Sequence, residues 1–131
     1  MKKTLLFGLF AISVLTLAGQ TIMNKDSLLK LLPAVKEDSA GAEFYINLGQ
    51  QYESSETELA KQYYSKAGLI SEKINYQPGI LKYIFNYTFV LNMQARYDSG
   101  LLLNLKSVGI ARKMNDPVML GKALFNAGSS Y

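Results

Sequence analysis

A spacing of 40 residues recurs along the chain and limits its fold more than any single motif. With Asn75 set over Asn115, Ile80 falls on Leu120, Lys82 on Lys122, Phe85 on Phe125 and Asn86 on Asn126. The register extends backwards, where Ala67 meets Ser107, Ile70 meets Ile110 and Lys73 meets Lys113. Asn47 precedes Asn86 by 39, which implies one residue fewer in the first turn. A period in this range marks a supersecondary unit that cannot bury its apolar face alone and must stack on its neighbours.

Within a unit the apolar spacing is helical. Ser39 reads as the N-cap of a helix reaching about Glu53, with Phe44, Leu48 and Tyr52 along one face. Ser55-Glu56-Thr57-Glu58 fits a capping box, opening a second helix that turns Leu59, Ala60, Tyr63, Tyr64, Ala67 and Ile70 inward and closes at Asn75. Pro78, as an N1 proline, opens a third helix running through Ile80, Ile84, Tyr87 and Leu91 to about Met93. Tyr97-Asp98-Ser99 caps a fourth that continues to Met114, and Asp116-Pro117 is an N-cap and N1 pair for a fifth, inside which the chain stops at Tyr131. Ahead of them, Asp26 to Leu32 predicts a short helix ended by Pro33 and able to cover the first pair. Short turns between such helices predict antiparallel packing. The expected fold is all-α, built as antiparallel helix-pair repeats over 39–75, 76–115 and an incomplete 116–131, after a lead-in over 20–38.

Residues 1–19 read as a signal peptide. Met1-Lys2-Lys3 is followed by 14 uncharged residues from Thr4 to Leu17, a basic n-region and an apolar h-region of secretory length. As a helix this run reaches only about 21 Å, short of the roughly 30 Å hydrocarbon core. Cleavage is expected beside Ala18-Gly19-Gln20, after either Ala18 or Gly19. Gln20 stands where a lipoprotein signal needs Cys. The expectation is export to the periplasm or cell envelope of a Gram-negative bacterium, with membrane attachment only if the leader stays uncleaved or the chain is part of a longer protein.

Composition removes whole classes of chemistry. The chain of 131 residues has no Cys, no His and no Trp. Disulfide staples, thiolate zinc sites, Cys nucleophiles and every His base go with them. Carboxylates, Lys, Tyr and Ser/Thr remain in no arrangement that resembles a catalytic site, so the reading is a non-enzyme without a cofactor or metal. Setting Lys2 and Lys3 aside leaves twelve basic against ten acidic residues, a net charge of +2. With Arg present only as Arg96 and Arg112, nothing points to nucleic acid.

Tyr45, Leu48-Gly49 and Tyr52 in the first helix, with Ala60, Tyr64 and Ala67 in the second, resemble the tetratricopeptide repeat. The second unit matches less well, through Ile84, Tyr87, Thr88 and Leu91 and then Gly100, Asn104 and Ser107. Asn126-Ala127-Gly128-Ser129-Ser130-Tyr131 echoes Asn47-Leu48-Gly49-Gln50-Gln51-Tyr52. The resemblance covers residues 40–131 and implies a right-handed α-solenoid. A 40-residue unit behind a signal peptide is similar to the exported N-terminal region of Bacteroidetes sensor kinases and regulators. That implies an alternative role as the sensory part of a larger membrane-bound two-component sensor or transcriptional regulator.

Tetratricopeptide arrays bind peptides or proteins along the concave face lined by the first helices. Carried over, that face presents Glu43, Ile46, Asn47 and Gln50, then Lys82, Phe85, Asn86 and Phe89, then Lys122, Phe125, Asn126 and Ser129. The expected binding set is Asn47, Lys82, Asn86, Phe89, Lys122 and Asn126. Its Asn ladder would bond a peptide backbone and its Lys pair would attract acidic groups. The competing reading makes these Asn residues bridges between helices and these Lys residues solvated charges. The carboxylate clamp of the heat-shock co-chaperones is not reproduced, because Ile46 and Gln50 replace its first two groups and Asn126 its Arg. Leu124 and Tyr131 lack a partner helix, which makes self-association through the open C-terminal repeat a further expectation.

Overall fold

The computed structural model describes residues 24–131, so the signal-peptide expectation for residues 1–19 lies outside the described residues. The described chain is all-helical: α1 (Lys25–Leu31), a 3-10 turn (Leu32–Ala34), α2 (Ser39–Gln50), α3 (Thr57–Lys73), α4 (Gln77–Met93), α5 (Tyr97–Met114) and α6 (Pro117–Gly128). No strand occurs among the described residues. Each of α2 to α6 packs most extensively on its sequence neighbours, and α2 also touches α4 as α4 touches α6.

The turns explain this compact order. Asn75 and Asn115, one period apart, both take the left-handed conformation after a helix, at φ 55° and 54°. Asn tolerates that region better than most residues. Ala95 does the same at φ 56° between α4 and α5, at a steric cost of about 1–2 kcal/mol. After Asn75 and after Ala95 the following amide reaches back five residues, from Tyr76 to the Ser71 carbonyl at 2.8 Å and from Arg96 to Leu91 at 2.9 Å. These bonds close each helix and aim the next one back along it.

Several helix starts differ from the sequence expectation. Asp38, not Ser39, caps α2, its carboxylate accepting from the Gly41 amide at 2.8 Å. Helix α2 ends at Gln50 rather than near Glu53. No side-chain bond caps α3, whose cap position is Glu56, because the Tyr52 carbonyl takes the Ser55 and Glu56 amides and carries the turn past Ser55. Arg96 holds the cap position of α5 without a side-chain bond, the turn at Ala95 leading straight into Tyr97. Pro78 is second in α4, after Gln77. Asn24 caps α1, and Pro33 falls inside the 3-10 turn. Asp116 caps α6 as expected, accepting from the Val118 and Met119 amides at 2.9 and 3.0 Å.

Tyr64 is the largest fully buried side chain. Its ring lies over Gly49, where an added Cβ would stand 2.4 Å from Tyr64 Cε1, so α2 and α3 approach only because position 49 carries no side chain. Leu28, Ile46, Leu48, Tyr52, Ala60, Ala67 and Val90 complete that core, and Lys25 Nζ sits 4.0 Å from the Tyr52 ring centroid, tying α1 to the first pair. A second core joins Leu81, Val108, Ala111, Ala123 and Ala127.

Burial, followed by the hydrogen bond to Glu53, holds the Tyr64 hydroxyl protonated far above its ordinary value of 10.0. Burial also raises Tyr83, with Tyr87 and Glu72 adding to it. The folded state thus keeps protons that the unfolded chain loses. Stability is expected to hold below pH 10.0 and to fall steadily above it. Urea midpoints measured upward from neutral pH check this, and Tyr64→Phe should flatten the decline.

Candidate functional groove between α4 and α6

Helices α4 and α6 present equivalent faces one period apart. Phe85, Asn86 and Phe89 project from one, and Gly121, Lys122, Phe125 and Asn126 from the other, around an open groove of about 480 Å³. Helical spacing of i, i+1 and i+4 sets these side chains on a single stripe of each helix. The absence of a side chain at Gly121 widens the groove. Phe89 and Phe125 stand at its rim, both more than half exposed.

Asn86 is held in place from two sides. Its Nδ2 donates to the Lys82 carbonyl at 2.7 Å, and its Oδ1 accepts from Gln50 Nε2 at 3.0 Å. One amide proton and one lone pair remain for a ligand. Asn126 is anchored through its backbone, its carbonyl accepting from Asn104 Nδ2 at 3.1 Å and from Ser130 Oγ at 3.2 Å. Among the described residues its side-chain amide forms no hydrogen bond, and Lys122 forms no ion pair.

The six sequence-selected residues do not all converge. Asn86, Phe89, Lys122 and Asn126 line the groove together. Lys82 does not line it, because its Nζ lies 2.7 Å from both carboxylate oxygens of Glu43, which also accepts from the Tyr76 hydroxyl at 2.9 Å. That pairing cancels the attraction for acidic groups expected of Lys82. Asn47 is exposed on α2 and outside the groove, so Gln50 rather than Asn47 continues the polar row from Asn86. Ile46 is buried in the first core rather than on a binding face.

Sequence reading missed Gly121, which has no counterpart glycine in the other units. It also missed the support under α6: Asn104, fully buried, accepts from Thr88 Oγ1 and donates to Ser130 Oγ, both at 3.0 Å. A polar residue at the position Tyr64 holds one unit earlier was the available signal.

Other features lie apart from the groove. A concavity of about 310 Å³ beside Leu31, Val35 and Phe44 includes Asp38, already committed as a helix cap. Glu37 is held below the usual carboxylate range by its bond to Lys73 and by Lys66, and Glu58 by its bonds to Lys61 and Gln94. Among the described residues no three His, Cys, Asp or Glu side chains gather as metal ligands, and no helix is long and apolar enough to cross a membrane. No family model matches the chain, and comparisons with curated proteins and with solved structures give no match.

Proposed function

We propose that this chain is an exported, non-catalytic helical-repeat module of the tetratricopeptide type, a right-handed α-solenoid that binds a protein or peptide segment between α4 and α6. The observation that carries the reading is the groove itself, where two exposed aromatic rims, a lysine unpaired among the described residues and two carboxamides converge. Phe89 and Phe125 take an apolar side chain, Lys122 an acidic group, and Asn86 and Asn126 the backbone of an extended segment. The basic start and uncharged run of residues 1–19 support export.

A peptide array scored by fluorescence polarisation tests this. Peptides with an acidic residue beside an aromatic or aliphatic one should be retained, and Phe89→Ala should weaken them about tenfold or more, as loss of an aromatic anchor does. Phe89 is half exposed, so the fold should survive the change. Unchanged binding in this variant, or retention of no peptide, contradicts the reading.

A further inference from the structure

Helix α4 touches α2 on one side and α6 on the other, and the repeat sets one charged residue at the same position on each of the three. They are Glu43, Lys82 and Lys122, 39 and 40 residues apart. Lys82 and Lys122 each stand one helical turn ahead of a groove carboxamide, Asn86 and Asn126. The charged row thus runs from the α4–α6 groove towards α2.

The charges in this row are met differently at its two ends. Between α2 and α4 opposite charges face one another, and Lys82 Nζ lies 2.7 Å from both oxygens of the Glu43 carboxylate. The Tyr76 hydroxyl donates to the same carboxylate at 2.9 Å and holds it in place. Between α4 and α6 the equivalent pair is Lys82 and Lys122, two like charges, and Lys122 forms no ion pair among the described residues. The Glu43–Lys82 pair stays within reach of a ligand, because the Lys82 side chain is 39% exposed and that of Glu43 30%.

Given the peptide reading of the α4–α6 groove, on which this rests, we propose that Glu43 is a specificity residue that withholds Lys82 from the ligand. The surface then takes a segment with a single acidic residue, at Lys122, and gains nothing from a second one directed at Lys82. An extended segment held by Asn126 and Asn86 crosses from α6 to α4. Packed helices lie about 8–10 Å apart and an extended chain rises about 3.3 Å per residue, so about three residues separate the position on Lys122 from the one facing Lys82. A carboxylate there meets a lysine whose charge is already cancelled, with Glu43 repelling it from behind.

Fluorescence polarisation tests this with peptides carrying one acidic residue, two about three residues apart in either direction, or two adjacent. The proteins are the unmodified chain, Glu43→Gln, and Glu43→Gln combined with Lys82→Met. The glutamine side chain keeps an oxygen for the Tyr76 hydroxyl but lacks the charge that holds Lys82. The unmodified chain should bind the spaced doubly acidic peptides no better than the singly acidic one. In Glu43→Gln the second acidic residue should improve affinity at least about threefold, the scale of a partly exposed ion pair. Adding Lys82→Met should return the ratio to that of the unmodified chain, with circular dichroism the same in all three proteins. Three results overturn the proposal while leaving the groove in place: a gain from the second acidic residue already present in the unmodified chain; no gain in Glu43→Gln; or a gain that ignores spacing or survives Lys82→Met, as general charge attraction gives. Retention of no peptide by any of the proteins removes the groove reading, and this proposal with it.

Discussion

Tyr64→Ala is expected to cost about 3–5 kcal/mol, the range for removing a large side chain from a packed core. Small domains have only about 5–15 kcal/mol in hand, so thermal or urea unfolding should show a population partly unfolded near physiological temperature. Tyr64 is fully buried, and the three atoms nearest a Cβ built at Gly49 all belong to its ring. Tyr64→Phe keeps the ring, loses only the bond to Glu53, and should cost about 1 kcal/mol. The reciprocal change, Gly49→Ala, drives a Cβ to 2.4 Å from the ring and should cost about 1–3 kcal/mol. In a Tyr64→Leu background that penalty should shrink, and the double-mutant cycle measures the coupling.

Asn104→Leu is the second large expected loss, about 2–4 kcal/mol, because several buried polar groups lose a partner together. Thr88 keeps the Phe85 carbonyl at 3.3 Å, but the Asn126 carbonyl loses its side-chain donor from α5 and the Ser130 hydroxyl oxygen one of its donors. The damage should be local. Amide hydrogen exchange is expected to quicken from Asn126 to Ser130 and in adjacent α5, while α2 and α3 remain protected. Uniform acceleration along the whole chain would show that Asn104 supports the entire fold rather than the seat of α6.

Much of the helical plan was legible because it depends on local chemistry. Asp116-Pro117 states a cap and a compatible second residue in adjacent letters, and Asn75 and Asn115 mark the left-handed turns. The displaced starts of α2 and α3 reflect close competition. Asp38 and Ser39 are both competent caps, and the turn closed on the Tyr52 carbonyl by the Ser55 and Glu56 amides puts Glu56 rather than Ser55 at the cap position of α3. Pairings between units were harder to read. Glu43 and Lys82 occupy equivalent positions one unit apart, so opposite charges meet where the helices stack, a consequence the period implied but the residue types alone did not. The same stacking joins Gln50 to Asn86 and leaves Asn47 exposed. Gly121 was silent in sequence: a missing side chain opens a groove only once the opposite wall is known.

Charge reversal at Lys122 is the most direct test of the proposal that the α4–α6 groove reads an acidic group beside an apolar one. Lys122 is exposed and unpaired among the described residues, so Lys122→Glu should leave stability within about 0.5 kcal/mol. On the same peptide array it should reverse the preference, releasing acidic peptides and retaining their basic counterparts, a result that loss of folding cannot imitate. An unaltered preference in the folded variant would contradict the claim and remove the groove as the binding surface.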